Sequence, residues 1–237
     1  MDIALTVLRL LPWHDWVALG AFFGGWVGYA LFARNLAHRQ PSILASTNRI
    51  RRQWMLQTTF REVRVVDGVV IQNLSTSPSF FASTTILIIG GLLAVLGSNN
   101  AGELVREIPF AVRTSVLVLD MKIVLLLAIF VYAFFRFTWS MRQYTFGALL
   151  VASAPEAAQF ACLEQHALSR EQFADRAGRV VGMAAETFND GLRAYYFAFA
   201  ALSWLLSPLA CVLATAGVIY ILYQREFHSD VLAVLNS

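Results

Sequence analysis

The sequence predicts an all-α fold, a polytopic membrane helical bundle with four transmembrane helices and amphipathic cytoplasmic helices. Of its 237 residues, 58% are hydrophobic and only 14% are charged, whereas soluble domains average about 25% charged residues. The mean hydropathy is +0.60. The apolar residues form long runs instead of the short alternating segments of a membrane barrel. A soluble enzyme, a disordered chain and a disulfide scaffold are therefore excluded.

Four apolar stretches are long enough to cross the roughly 30 Å hydrocarbon core of a bilayer, which takes about 20 helical residues. We predict transmembrane helices at about 16–33, 80–97, 115–136 and 194–223. Cytoplasmic helical segments are expected at about 42–75 and 153–190. The whole chain, 1–237, should then form a single integral membrane domain.

The distribution of arginine indicates the orientation, because basic residues concentrate in cytoplasmic connections. The segment 34–79 holds seven arginines and the segment 136–193 holds six, whereas the connection 97–114 holds two and each terminus one. We therefore expect both termini outside the cytoplasm, in the bacterial inner membrane. The net charge of +3 is too small to indicate nucleic-acid binding in so apolar a chain.

The first cytoplasmic segment has the periodicity of one amphipathic helix, which we expect to end at Ser75–Pro78, before the second span. Its apolar stripe is Leu56, Phe60, Val63, Val70 and Leu74, and its basic face is Arg49, Arg51, Arg52, Arg61 and Arg64. Two interpretations remain open. The helix lies on the membrane interface and binds anionic lipid, or it belongs to a cytoplasmic layer that extends the bundle or packs between subunits.

The second cytoplasmic segment contains local start and stop signals. Ser169 followed by Gln172 is a capping-box pattern, so a helix should begin there. Asn189–Gly191 is a turn signal, which predicts a break just before the fourth span.

Small residues at four-residue spacing indicate close helix packing, because they leave a groove that another backbone can enter. The first span has Gly20, Gly24 and Gly28, and weaker repeats are Gly90 with Ala94, and Ala174 with Gly178 and Gly182. The spacing leaves open whether the partner helix belongs to the same chain or to another copy. A homo-oligomer in the lipid bilayer is expected.

Asp120 and Lys122 are charged residues inside the third span. Each costs about 2.5–3.5 kcal/mol on insertion scales, and two residues apart on a helix they point about 200° away from each other. They therefore need separate partners. Either both are tied into interhelical pairs, for example with Arg113 or a terminus, or they line a solute or ion path.

Other polar residues of the spans extend the set of candidates for an ion path. Thr84 and Thr85, with Ser79 and Ser83, stand at one end of the second span, where they line a path or bond back to their own helix. Arg193 precedes the fourth span, and Ser207 precedes Pro208 inside it. Pro208 should kink that helix, either for packing or as part of an ion site.

The sequence contains no convergent set of catalytic or metal-ligating residues. The four histidines are scattered, and neither Cys162 nor Cys211 has the spacing of a metal or haem motif. We therefore expect no catalytic residue, no metal, no cofactor and no enzymatic activity.

Several stretches resemble a family of bacterial and plant membrane proteins, domain of unknown function 599. These are FFASTTILIIGGL at 80–92, GLRAYYFA at 191–198 with Trp204 and Ser207–Pro208, and Asn48 with Arg52 and Trp54. The resemblance covers about 16–227. It implies a four-span membrane protein and supplies no activity.

The hypothesis that follows is an oligomeric ion channel or small-solute pore, because four spans enclose little volume on their own. The alternative is a membrane scaffold or interaction protein without transport, whose charges are structural. A membrane-embedded enzyme is the third candidate.

Overall fold

A computed structural model describes residues 11–37, 42–98, 116–163 and 169–236 of the chain. Within these segments the protein contains helices and no strand, which confirms the all-α fold. The helices are α1 (Trp13–Ala37), α2 (Ile43–Thr58), α3 (Val65–Leu96), α4 (Val116–Ala152), α5 (Ala157–Leu163), α6 (Arg170–Ser203), α7 (Pro208–Phe227) and α8 (Asp230–Asn236).

Four described segments are long and apolar enough to cross a membrane, as the sequence predicts. They are Trp13–Ala33, Val65–Leu96, Val116–Ala152 and Pro208–Asn236. The fourth does not begin at residue 194, however. Residues 194–203 belong to α6, and a turn separates α6 from α7.

The single helix predicted for the first cytoplasmic segment is wrong, because α2 ends at Thr58 and α3 begins at Val65. At the end of α2 the hydroxyl of Thr58 donates to Trp54 O at 3.0 Å. The hydroxyl of Thr59 donates to Leu56 O at 2.7 Å. The stripe is consequently not a buried face: Phe60 is 57% exposed and Val63 is 72% exposed.

The break predicted at Ser75–Pro78 is also wrong, because α3 runs through these residues without interruption. The hydroxyls of Ser75 and Thr76 donate to Gln72 O at 2.8 and 3.2 Å. Pro78 is fully buried inside this continuous helix, and membrane helices tolerate proline where neighbouring groups satisfy the freed carbonyl.

The turn predicted at Asn189–Gly191 lies inside α6 instead. Asp190 forms an ion pair with Arg136 of α4. A Cβ atom on Gly191 would lie 2.5 Å from Phe137 Cε1. These residues therefore make helix–helix contacts. Local turn propensity does not take such contacts into account, so it predicted a turn here.

The predicted kink at Pro208 is a complete break between two helices. The turn follows Ser203, and Pro208 is the first residue of α7, a position that suits its fixed φ angle. Ser207 caps the new helix, because its side-chain oxygen accepts a hydrogen bond from Ala210 N at 3.0 Å.

The chain divides into two compact units. Unit 1 comprises Met1–Arg39, Thr85–Ala133 and Leu192–Arg225. In its interior the rings of Trp26 and Phe197 stack at 5.4 Å, and Phe22 contacts Phe197 edge-on. The prediction of one integral membrane domain stays a prediction.

Unit 2 comprises Gln40–Thr84, Phe134–Gly191 and Glu226–Ser237. Its core includes Met55, Ile71, Tyr144, Phe160, Phe173 and Val181. The predicted capping box at the start of α6 is confirmed: Ser169 Oγ accepts from Gln172 N at 3.1 Å, and Gln172 Oε1 accepts from Ser169 N at 3.2 Å.

Candidate functional site

Among the candidate membrane-spanning helices of the described residues, α3 is the least buried. Only 11% of its most apolar stretch is buried within the chain, against 39% for α4. Most residues of α3 are therefore exposed or only half-buried within the described part of the chain.

One side of α3, which we call the α3 face, carries small and hydroxyl residues and one leucine. It consists of Thr76, Ser79, Ser83, Leu87, Gly90 and Ala94, which helical spacing places on one side. Ser79 is half-buried and the others are exposed. Ser83 Oγ donates to Ser79 O at 3.0 Å. Its donor is thereby used within the helix, while its lone pairs remain available as acceptors.

The two threonines predicted to line a path lie elsewhere on α3. Thr84 is half-buried, and its hydroxyl donates to Phe80 O and Phe81 O at 3.1 and 3.0 Å. Thr85 is fully buried, and its hydroxyl lies 2.7 Å from the hydroxyl of Tyr195. The bond of Thr84 back to its own helix is the second of the two arrangements expected from the sequence.

Lys122 is buried in unit 1 and contacts Trp204. Its Nζ donates to Trp204 O at 2.8 Å and lies 5.0 Å from the centre of the Trp204 ring. The indole Nε1 of the same tryptophan donates to Asp15 Oδ1 at 2.6 Å, and Asp15 is also buried. A cation and an anion thus contact one side chain, which satisfies both charges inside the unit.

The other charged candidates are Asp120 and Arg193. The contacts described for them do not include Lys122, Trp204 or Asp15. Asp120 is half-buried, and no described residue hydrogen-bonds to it. The partner suggested for it, Arg113, lies outside the described residues. The guanidinium of Arg193 stands 5.9 Å from the ring of Tyr29.

The glycine positions divide into two groups. A Cβ atom on Gly20, Gly24, Gly28 or Gly90 would meet nothing within 4 Å in the described structure. Gly25 makes the close contact of α1 instead, where a Cβ atom would lie 2.9 Å from Thr215 Cγ2. For Gly20, Gly24, Gly28 and Gly90, packing against another copy of the chain therefore stays a prediction.

Three arginines of the predicted basic face in unit 2 hold the chain together. Arg61 pairs with the buried Asp67. Arg64 donates to the carbonyl oxygens of Ala154, at 2.6 Å, and of Pro155. Arg51 donates to Asn48 Oδ1 at 2.7 Å, and burial lowers the pKa of its guanidinium. These side chains are engaged with the protein and do not form one basic face.

The other two, Arg49 and Arg52, line a groove of about 560 Å³ between α2 and α6 in unit 2. We call it the arginine groove. Its charged and amide residues are Asn48, Arg49, Arg52, Asp175, Arg179 and Glu186, with Gly178, Gly182 and Met183 completing the lining.

Neither the partners of Lys122 nor the arginine groove was predicted from the sequence. Asp15 was a detectable signal, because an acidic residue at the start of one span is a natural partner for a buried lysine in another. For the groove the only signal was Gly178 with Gly182: a Cβ atom on Gly178 would lie 3.0 Å from Arg52 Cα. That spacing indicated close packing and gave no indication of charge.

These features define the chain as a polytopic helical membrane protein with four candidate membrane-spanning helices. The profile of DUF599, a protein family of unknown function, matches residues 17–231. The chain belongs to this family, as the resemblance implied. No curated protein and no solved structure matches the sequence.

Proposed function

We propose that this protein forms an oligomeric ion channel or small-solute pore in which α3 of each copy contributes the lining. The observation that carries the proposal is the exposed α3 face. Hydroxyl oxygens and small residues repeat along a helix of which few residues are fully buried within the described part of the chain. The proposal assigns no catalytic step to the protein.

The chemistry of the α3 face suits a water-filled path better than lipid. Thr76, Ser79 and Ser83 present acceptor lone pairs, which stabilise water or a cation. Gly90 and Ala94 let copies of the helix approach closely. Leu87, which is 75% exposed, supplies a hydrophobic constriction of the kind that closes pores by excluding water.

The charged residues of unit 1 have a different part in this proposal. Lys122 and Asp15 stabilise the fold through Trp204, because both are buried and hydrogen-bonded. Ser207 caps α7. We therefore place the proposed path along the polar side of α3, and not at the charged residues of α4 or at the break near Pro208.

The test is flux through the purified protein in liposomes. We expect flux above that of protein-free liposomes. A charged thiol reagent should block it in Ser83→Cys, and Leu87→Ser should raise it by weakening the constriction. Val124→Cys is the matched control, because Val124 is 48% exposed on α4 and lies outside the proposed path. Absence of flux across several salts and pH values would refute the proposal.

The second candidate is a membrane scaffold or interaction protein without transport, and the arginine groove favours it. An open groove with charged walls suits the docking of a partner, whether or not the protein conducts ions. In that case α3 would contact only lipid, and the Ser83→Cys and Leu87→Ser variants would behave like the wild type in every assay.

A further inference from the structure

The floor of the arginine groove is formed by a close approach of α2 to α6. Because Gly178 and Gly182 have no side chains, the backbone at Arg52 and the amide of Asn48 come within contact distance of α6: Cβ atoms would lie 3.0 Å from Arg52 Cα and 3.0 Å from Asn48 Oδ1. The longer side chains on either side then form the walls. The groove is thus a built feature of the helix crossing.

Both carboxylates of the groove already have partners. Asp175 forms an ion pair with Arg52, whose hydrogen bond lowers the pKa of that carboxyl; the charge of Arg179 lowers it further. Glu186 Oε1 accepts a hydrogen bond from Asn48 Nδ2 at 3.1 Å. Neither carboxylate therefore needs a ligand.

Two arginines of the groove remain available. Arg49 and Arg179 are exposed, and neither makes a hydrogen bond or ion pair with a described residue. With Arg52, they outnumber the two carboxylates of the groove, so the net formal charge of its lining is positive. Met183, which is 45% exposed, adds an apolar wall next to them.

We propose that the arginine groove binds the phosphate group of a phosphate ester, with Arg49 and Arg179 as its ligands. A guanidinium offers two parallel N–H donors, which match two oxygens of a phosphate, and a second guanidinium completes the neutralisation of a dianion. Met183 contacts the organic part of the ester. The ester is either the monoester headgroup of a lipid, as in phosphatidic acid, or a soluble monoester, since both present the same group.

This inference is independent of the pore. It concerns residues of α2 and α6, whereas the pore is assigned to α3, so a protein without flux can still bind phosphate. Conversely, a groove variant that loses phosphate binding says nothing about the pore, which the flux assay tests separately.

The test uses the full chain in nanodiscs. In phosphatidylcholine nanodiscs, calorimetry with glycerol phosphate measures binding of a soluble ester. In a second arm, native mass spectrometry compares retention of phosphatidic acid, a monoester, and phosphatidylcholine, a diester, by the purified protein. Binding in the first arm assigns a soluble ester, preferential retention of phosphatidic acid in the second assigns a headgroup, and both results support the phosphate site. Failure in both arms overturns it.

The variants locate the site. Arg49→Gln and Arg179→Gln should each weaken binding by about tenfold, and Arg49→Lys should restore part of it because the charge returns without the fork. Arg176→Gln is the control: Arg176 is exposed on α6 outside the groove lining, and its loss should leave affinity unchanged.

A gain of affinity provides an independent check. Asp175→Asn removes the carboxylate that engages Arg52, so a third guanidinium becomes available and binding should tighten. Equal loss in the Arg49, Arg179 and Arg176 variants, or unchanged binding in the double Arg49→Gln, Arg179→Gln variant, would refute the assignment. Unchanged helical content by circular dichroism shows that each variant is folded.

Discussion

Lys122 Nζ donates a hydrogen bond to the carbonyl oxygen of Trp204, which Pro208 leaves without a helical donor. In a continuous helix this oxygen would accept from the backbone N–H of residue 208, and proline has none. A charged side chain from α4 therefore replaces the missing backbone bond at the break between α6 and α7. Lys122 thus stabilises the break between α6 and α7.

Removal of this lysine should destabilise the protein without a direct effect on conduction. In Lys122→Met the carbonyl of Trp204 loses its donor in a buried place, which should cost about 1–3 kcal/mol of the free energy of unfolding. Asp15→Asn should have a similar cost, because it weakens the bond to the Trp204 indole. Denaturant unfolding of the purified protein in detergent measures both.

The double variant tests whether the two charges act together. Lys122→Met combined with Asp15→Asn should lose less than the sum of the single effects, by about 0.5–3 kcal/mol. The control pairs Asp15→Asn with Asp120→Asn, which should be additive because Asp120 has no contact with Trp204 among the described residues. Strict additivity in both cycles would show that Asp15 and Lys122 are not coupled.

The sequence could predict that Lys122 needs a partner, but it could not identify one. The cost of an unpaired charge in a span is a local property, whereas its partner lies on α1 or at a break that depends on packing. The two prolines of the membrane-spanning helices show the same limit. Serines precede both Pro78 and Pro208, yet the first stays inside a continuous helix and the second begins one.

Gly191→Ala should destabilise unit 2 although alanine favours helices. The new Cβ atom would lie 2.5 Å from Phe137 Cε1, and the ring of Phe137 is itself packed against Phe81 and Phe188. The steric cost of about 1–3 kcal/mol exceeds the helix-propensity gain of about 1 kcal/mol. We expect a net loss in thermal unfolding experiments.

The same substitution at an open site is the matched control. Gly68 is exposed in α3, and a Cβ atom there would meet nothing within 4 Å. Gly68→Ala should therefore stabilise the protein by about 0.5–1 kcal/mol. Destabilisation by Gly68→Ala, or tolerance of Gly191→Ala, would contradict the packing described for these helices.

Asp67 organises the junction of α2 and α3, and its loss should be costly. Its Oδ1 accepts from Trp54 Nε1 at 2.7 Å and pairs with Arg61, and the residue is fully buried. Asp67→Ala leaves the indole N–H of Trp54 without its acceptor and removes the ion pair of Arg61, for a loss of about 2 kcal/mol. Glu62→Ala is the control, since Glu62 is exposed and should tolerate the change. Equal melting temperatures of the two variants would exclude this role.

The ion pair of Arg52 with Asp175 should make a small, pH-dependent contribution to stability. The hydrogen bond from Arg52 lowers the pKa of Asp175 in the folded protein, and the same bond raises the pKa of Arg52. A lowered aspartate pKa means that the contribution is present above the unfolded value of about 3.9 and is lost as the pH falls through the folded value. The arginine keeps its charge throughout this range.

Asp175→Asn separates this contribution from general acid denaturation. Its melting temperature should lie slightly below that of the wild type at pH 7, because solvent screens an exposed pair. The difference should shrink as the pH is lowered below the ordinary aspartate range, and added salt at pH 7 should reduce it in the same way. Arg176→Gln on the same helix should show neither dependence. A difference that grows under acidic conditions would mean that Asp175 is less acidic in the folded protein than in the unfolded chain, which the bond from Arg52 does not allow.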